Sequence, residues 1–256
     1  MEPEQTQRSR QVLRLVGPDA RTFLQGLITN DVKRLDAGPV YAALLTPQGK
    51  YIADFFLIPE PDGLLMDLPA AMVAPVLQKL TLYKLRAKVT IETTDLTVAR
   101  GLGEPPEGAV ADPRHPSLGW RRYGAGLTEA PGVAEAIEAQ RVALAVPEAG
   151  IELIPGDTYI LEVGLDRLNA VDFRKGCYVG QEIVARMKHK LELRKGLKRV
   201  SVSAPVPVGT EIVAQGQTAG TLYTQSGGEG LAFLRFDRMG PDMIAGGATV
   251  AVLDEA

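Results

Sequence analysis

The sequence has very few residues that bind metal ions or form disulfides. Among its 256 residues there is one cysteine, Cys177, and there are two histidines, His115 and His189. A single cysteine excludes a disulfide within the chain, and it excludes a cysteine-rich zinc or iron–sulfur site built by this chain alone. Two histidines also argue against a histidine-rich metal site, so we predict no metal site. If an iron–sulfur cluster matters to this protein, the chain can contribute at most one thiolate to it.

Long apolar runs and a strong charge of either sign are also missing. The net charge of −3 argues against a protein that covers nucleic acid or membrane with its whole surface. The first twelve residues lack the apolar segment of a signal peptide. No run approaches the roughly 18 to 20 apolar residues that span a bilayer. We therefore expect a cytoplasmic protein with no membrane association and no stable nucleic-acid binding.

Hydrophobic periodicity predicts a strand-rich α+β protein. After Asp19, which is a plausible N-cap, apolar residues recur at helical spacing. Further on, the segment TPQGKY has the proline and glycine of a hairpin turn between two β-prone runs. The predicted elements are a helix over residues 19–32, strands at 40–45, 52–58 and 63–67, a helix ending near Leu85, and a helix at 133–145.

The chain is long for one core, and we expect it to be divided. Residues 101–132 are rich in glycine and proline, which predicts a long surface crossing between structural units. Beyond Arg199, short β-prone runs alternate with glycine turns, as they do in a small antiparallel barrel. We place the boundary near residue 193, between an N-terminal region, 1–192, and a β-barrel, 193–256.

The octapeptide KGCYVGQE, residues 175–182, combines residues that a hydrophobic core would not select together. Gly176 and Gly180 allow a positive φ or a close approach to a ligand. The following residues have helical composition, so Cys177 should lie in a loop just before a helix. Preceding cations and the helix dipole favour its thiolate, which predicts a reactive thiol. The alternative is that Cys177 is a small buried hydrophobic residue.

The longer segment FRKGCYVGQEIVAR resembles the signature of the YgfZ family, whose relatives include the T-protein (aminomethyltransferase) of the glycine cleavage system. Blocks such as VGPDARTFLQGLITNDV and GIELIPGDTYILEVGL also resemble that family, in its order. The resemblance implies a T-protein-like ring of two folate-facing α/β units and a C-terminal antiparallel β-barrel. It implies tetrahydrofolate, or a one-carbon derivative, in a central cavity. It further implies a role in maturing or repairing iron–sulfur enzymes, including those that thiolate tRNA.

The resemblance also implies roles for single residues. Glu162 matches the carboxylate that receives the pterin, and two parallel N–H bonds from the pterin ring would suit it. Lys175, Tyr178 and Gln181 complete the predicted folate-binding set, although Tyr178 could instead anchor the loop and Gln181 could orient it. Asp54 lies where T-proteins carry an acidic residue that assists methylene transfer, so it is a possible catalytic residue beside the Cys177 thiol.

Two departures argue against a glycine-cleavage T-protein. The pair of aspartates in the T-protein hairpin here reads Ala53-Asp54, and T-proteins lack the cysteine loop. Whether the protein is an enzyme therefore stays open. Our first hypothesis is a folate-binding accessory protein with iron–sulfur client proteins as partners, and the second is a folate-dependent one-carbon transferase.

A basic stretch in residues 186–199 gives a third hypothesis, an RNA- or protein-interaction module. These cations could hold the glutamate tail of a folate or contact RNA phosphates. They could also be a solvated connection between a helix and the barrel, which is the interpretation that we favour for most of them.

Overall fold

The computed structural model describes residues 9–190 and 192–253, in which two open β-sheets and a barrel are joined by four α-helices. The strands are β1 Arg10–Val16, β2 Val40–Leu45, β3 Tyr51–Glu60, β4 Gly63–Pro69, β5 Thr90–Thr93, β6 Leu96–Gly101, β7 Val110–Ala111, β8 Trp120–Ala125, β9 Lys195–Val202, β10 Thr210–Ala214, β11 Gln217–Ser226, β12 Glu229–Arg235, β13 Met243–Ala245 and β14 Ala248–Val252. The helices are α1 Ala20–Gln25, α2 Val73–Lys84, α3 Val133–Ala143 and α4 Gln181–Lys190. Short 3-10 helices cover Val32–Asp36, Ala70–Met72, Pro116–Leu118 and Phe236–Arg238.

The first sheet is antiparallel, with the order β2–β3–β4–β1–β5. All of β2 and most of β3 are buried, because the predicted hairpin carries an almost unbroken apolar run. One face of this sheet packs on α1 and α2. The other face, which includes Tyr41 and Phe56, packs on buried residues between Val146 and Val171. The sheet is therefore the central layer of the N-terminal region.

The helix predicted over residues 19–32 is wrong in its length, because α1 stops well before residue 32. Sheet contacts take the chain away from the helix axis: the backbone N–H of Thr29 donates to the Ala43 carbonyl at 3.0 Å. Asp19 does not cap α1 with its side chain. Its carboxylate instead accepts the backbone N–H of Lys88 at 2.7 Å.

Residues 101–132, predicted as a surface crossing, contain two strands of the second sheet. That sheet has the order β6–β8–β7, so β8 is its middle strand. A Cβ on Gly101 would lie 2.2 Å from the ring of its cross-strand partner Trp120, so the glycine leaves room for that ring. The sequence of β8, WRRYGA, does not indicate a strand, because two arginines and a glycine interrupt the alternation of apolar and polar residues.

The C-terminal part is a closed antiparallel barrel with the order β10–β11–β12–β9–β14–β13. The pairing of β10 with β13 closes it, and β9 pairs with both β12 and β14. Its interior is apolar and includes Val200, Leu222 and Leu234. The predicted α+β class with a C-terminal antiparallel barrel is confirmed. None of the described helices is long and apolar enough to cross a membrane.

Candidate functional site: the cysteine loop and its surroundings

The cysteine loop, residues 172–180, is held to the N-terminal region at both ends. The backbone N–H of Asp172 donates to the Thr29 carbonyl at 3.0 Å, and that of Val179 donates to the Gly26 carbonyl at 3.2 Å. Between these anchors Cys177 is exposed. The predicted position of Cys177 in a loop just before a helix is therefore confirmed, and the alternative of a buried residue is wrong. The reactivity of the thiol stays a prediction.

Close backbone packing explains one of the two glycines of the loop. Gly180 has a φ of 86°, and a Cβ there would lie 2.7 Å from the Thr46 carbonyl oxygen. On the other side of this contact, a Cβ on Gly49 would lie 2.7 Å from the side chain of Ile183 in α4. The loop and the hairpin turn therefore touch backbone to backbone. Gly176 differs, because a Cβ there would meet nothing within 4 Å.

Lys175 fixes the loop from inside. Its buried Nζ donates to the backbone carbonyls of Gln25 at 2.8 Å, Ile28 at 2.6 Å and Asn30 at 2.9 Å. Burial lowers the pKa of Lys175 to about 8, so at neutral pH the ammonium still carries three protons. All three are used by these carbonyls at and after the end of α1. These contacts favour a positioning role for Lys175, and the predicted folate contact stays a prediction.

Tyr178 and Gln181 also lie where they can hold the loop. Tyr178 is buried in the core against the first sheet, with its ring centroid 5.0 Å from Nζ of Lys175. Gln181 is the first residue of α4, and its backbone N–H donates to the Tyr178 carbonyl at 3.2 Å. Of the two roles considered for Tyr178, the burial favours anchoring.

Glu162 lies between the N-terminal region and the barrel. Its side chain is 9% exposed, with a carboxylate oxygen 3.8 Å from Nζ of Lys195. Its backbone carbonyl accepts the N–H of Leu197 in β9 at 2.8 Å. Burial raises the pKa of Glu162, and nearby Lys195 and Lys50 oppose that rise. A backbone hydrogen bond from Tyr159 also opposes the rise. The carboxylate is thus largely shielded from water, which suits an acceptor for a ligand.

Asp54 is enclosed by two tyrosines. Its two carboxylate oxygens accept the hydroxyl groups of Tyr41 at 2.9 Å and Tyr51 at 2.6 Å. Asp54 is 5% exposed. The backbone N–H of Tyr51 donates to the Thr158 carbonyl, which connects Asp54 to the segment that carries Glu162. The two tyrosine hydroxyl groups therefore compete with any substrate for the Asp54 carboxylate oxygens.

A cavity of about 490 Å³ lies beside β2. Arg34 at this cavity pairs with Asp172 of the cysteine loop at 3.0 Å. Glu162 and Cys177 are not among the lining residues, so the structure does not bring the predicted site residues together around this space. The lining comprises Asn30, Arg34, Ala37, Gly38, Pro39, Val40, Tyr41, Ala111, Pro113 and Asn169.

The described residues contain no group of three or more His, Cys, Asp or Glu side chains that could hold a metal ion. The basic stretch is largely engaged within the protein. Lys188 pairs with Asp166 at 2.8 Å, and Lys198 lies over the ring of Phe236. Arg199 donates to the Ala143 carbonyl at 2.9 Å. These contacts support the interpretation of a connection to the barrel, while weak nucleic-acid binding stays a prediction.

Sequence reasoning missed a buried network of charges between the two open sheets. Arg121 donates to Asp67 at 3.0 Å and to Asp112 at 3.2 Å, and its guanidinium carbon lies 3.6 Å from the Phe56 ring centroid. Arg10 also donates to Asp67, at 2.5 Å. The signal that could have revealed it is the single charge of Asp67 in the apolar run LLMDLP, since a buried charge needs a partner.

This network makes stability sensitive to acid. Burial alone would raise the pKa of Asp112, but Arg114 and Arg121 outweigh it and hold that pKa well below its usual range. Arg10 and Arg121 likewise lower the pKa of Asp67 against its burial. A carboxylate whose pKa falls on folding stabilises the fold above the unfolded value of about 3.9, and the stabilisation disappears as the pH falls below that value.

We expect the free energy of unfolding to fall below about pH 4, and to fall less steeply when Asp112 is replaced by asparagine. At neutral pH this change should cost roughly 2 to 3 kcal/mol, because Arg114 and Arg121 lose a charged partner. Urea denaturation at a series of pH values measures both effects. Asp237→Asn is the matched control, since Asp237 is an exposed partner of Arg235. An Asp112→Asn profile parallel to that of the wild type would contradict the assignment.

The fold and the loop define the class of protein. The crystal structure of the glycine cleavage system aminomethyltransferase T from Bartonella henselae matches 95% of this chain and 82% of its own, with a TM-score of 0.73 and 12% identity. This match shows a shared aminomethyltransferase-like fold. Residues 194–255 match the family model of the CAF17 C-terminal β-barrel domain.

Sequence comparison then gives the particular family. The chain is 34% identical to the iron-sulfur cluster assembly factor IBA57, mitochondrial, of Homo sapiens, over 88% of this chain and 75% of that protein. It is 31% identical to the Mus musculus protein of the same name, with the same coverage. The chain belongs to the IBA57 family of iron–sulfur cluster assembly factors.

These findings correct one expectation and leave another open. The expected cytoplasmic location is wrong, because these relatives are named mitochondrial and point to mitochondria. The T-protein-like class expected from the cysteine-loop signature is confirmed. The finer assignment to YgfZ stays a prediction, since the relatives carry the IBA57 name.

Proposed function

We propose that the protein binds tetrahydrofolate, or a one-carbon derivative of it, and uses the Cys177 loop to support the assembly or repair of iron–sulfur enzymes, including enzymes that thiolate tRNA. The observation that carries this proposal is the exposed thiol of Cys177 on a loop that is fixed at both ends. Its family membership supports the iron–sulfur role. Since the chain has no second cysteine, any thiolate contribution comes from this position. Iron–sulfur client proteins are the partners that this role requires.

The surroundings of Glu162 fit the pterin end of the folate. A shielded carboxylate can accept two parallel N–H bonds from the 2-amino-4-oxopyrimidine ring, and such charge-assisted bonds are strong. Lys195, 3.8 Å away, partly balances its charge. Bound tetrahydrofolate would supply a carrier of one-carbon units. The chain's own contributions are the acceptor at Glu162 and the loop held by Lys175.

We expect Glu162→Ala to weaken tetrahydrofolate binding by roughly 2 to 4 kcal/mol, because two charge-assisted bonds disappear and the donors of the ring stay desolvated. Calorimetric titration of both proteins measures the difference. Glu229→Ala is the matched control, since Glu229 is also a carboxylate beside a barrel cation, 3.7 Å from Arg199. It should bind like the wild type. A wild type that gives no heat with reduced folates would refute folate binding. Equal affinities in all three proteins would show that Glu162 does not contact the folate.

The second candidate is a folate-dependent one-carbon transferase. The fold favours it, but the enclosed Asp54 does not, because both carboxylate oxygens already accept tyrosine hydroxyls. Transfer of a one-carbon unit from methylene-tetrahydrofolate, lost in Asp54→Asn, would favour this candidate over the accessory role. The third candidate, an RNA-binding module, requires tRNA binding that survives physiological salt. The overall negative charge predicts weak and salt-dependent binding instead.

A further inference from the structure

A basic segment lies far from the cysteine loop in sequence. No aspartate or glutamate occurs between Asp67 and Glu92, whereas the whole chain has 31 acidic and 28 basic residues. The same segment carries four cations, at its middle and its end. A protein with a net charge of −3 thus concentrates positive charge in one place. The cations are Lys79, Lys84, Arg86 and Lys88.

Helix α2 presents an uncharged outer side within this segment. Its inner side places Val76 and Leu80 in the core. Lys79 and Lys84 are only partly exposed and flank the outer side. The residues of the outer side are all exposed and none is charged: Ala71, Ala74, Pro75, Gln78, Thr81, Leu82 and Leu85.

Two leucines form the tip of this surface. Leu82 is 65% exposed, and Leu85, just beyond the end of α2, is 89% exposed. Leu85 has a φ of 42°, a conformation that is unfavourable for a residue with a Cβ. Most of the surface of both leucines is therefore exposed in the isolated chain. Arg86 and Lys88 follow immediately and are exposed as well. We call this surface the α2 tip: Lys79, Leu82, Lys84, Leu85, Arg86 and Lys88.

We propose that the α2 tip docks the protein onto an anionic phospholipid surface. Apolar side chains that project among lysines and arginines suit the boundary between headgroups and acyl chains, where leucines insert and cations meet phosphates. The tip protrudes, so a folded partner would need a matching cavity, whereas a lipid layer yields around the side chains. The remaining negative surface keeps the attachment peripheral and reversible.

This docking needs no membrane-spanning segment. It revises the expectation of no membrane association, which rested on net charge and on the lack of a long apolar run. It also uses neither Glu162 nor Cys177. Its success or failure is therefore independent of the proposed folate and iron–sulfur roles.

Co-sedimentation of the full chain with vesicles tests the proposal. One set of vesicles is phosphatidylcholine alone, and the other contains equal parts of phosphatidylcholine and phosphatidylglycerol. We expect binding to the anionic vesicles to be at least about tenfold tighter, and to weaken as salt screens the cations. A wild type without this preference would overturn the proposal. Binding of the tip to an acidic protein in place of the vesicles would overturn it as well.

Two variants and two matched controls locate the contact. Leu82→Ser/Leu85→Ser removes the inserted side chains, and Lys84→Gln/Arg86→Gln removes two cations. Each should reduce binding to anionic vesicles by about tenfold while keeping a native circular dichroism spectrum, because the leucines and Arg86 are exposed. The controls are Val208→Ser, an exposed apolar residue between β9 and β10, and Lys33→Gln, an exposed cation of a 3-10 helix. Equal losses in the controls, or unchanged binding in both α2 variants, would refute the assignment.

Discussion

Replacing Arg141 by methionine should lower the free energy of unfolding by about 3 to 5 kcal/mol. Arg141 is buried in α3, and its guanidinium donates to Glu152 at 3.1 Å and to the Val146 carbonyl at 2.6 Å. It also donates to the Thr224 hydroxyl of β11 at 2.6 Å, which ties α3 to the barrel. Methionine would leave the Glu152 carboxylate, whose side chain has no exposed surface, without its cation.

Urea denaturation measures this loss, and two further variants show its cause. Arg235→Met removes an exposed arginine that pairs with Asp237 at 3.1 Å, and it should cost less than about 1 kcal/mol. The double variant Arg141→Met/Glu152→Met should recover part of the loss, because no unpaired charge remains buried. A single Arg141→Met variant within about 1 kcal/mol of the wild type would contradict the role of this network.

Replacing Lys175 by methionine should cost about 3 to 4 kcal/mol, because three buried backbone carbonyls lose their donor together. The carbonyls belong to Gln25, Ile28 and Asn30, so the loss also frees the loop from the end of α1. Limited proteolysis should then cut within residues 172–180 faster than in the wild type. Arginine should not rescue the variant, since a planar guanidinium does not replace a compact ammonium.

Lys33→Met provides the comparison, because Lys33 is an exposed lysine of the neighbouring 3-10 helix. Its stability and its proteolysis pattern should stay close to those of the wild type. If Lys175→Met behaves in the same way, the loop is held by its other contacts, and Lys175 is not the residue that positions it.

Elements that depend on residues close together in the chain could be predicted from the sequence. The hairpin of β2 and β3 follows from apolar runs around a turn with proline and glycine. The position of Cys177 before a helix followed from the glycines and the helical composition after it. These features depend on neighbours in the sequence, so one sequence was enough to predict them.

Contacts between distant residues could not be predicted in this way. The carbonyls that hold Lys175 lie 145 to 150 residues earlier in the chain, and the partner of Arg141 in the barrel lies 83 residues later. The three backbone contacts of Lys175 could thus not be foreseen from the sequence. The helix over residues 19–32 was too long for the same reason, since Thr29 is drawn to the sheet by Ala43.

The most direct test of the central claim is Cys177→Ser, compared with the wild type in a strain that lacks its own homologue. The claim is that the fixed loop serves to present the exposed thiol, so the change should affect stability by less than about 1 to 2 kcal/mol. Iron–sulfur enzyme activity in the strain should nevertheless not be restored. If the Cys177→Ser protein restores that activity to the wild-type level, the thiol is not the working group of the loop, and the central claim is wrong.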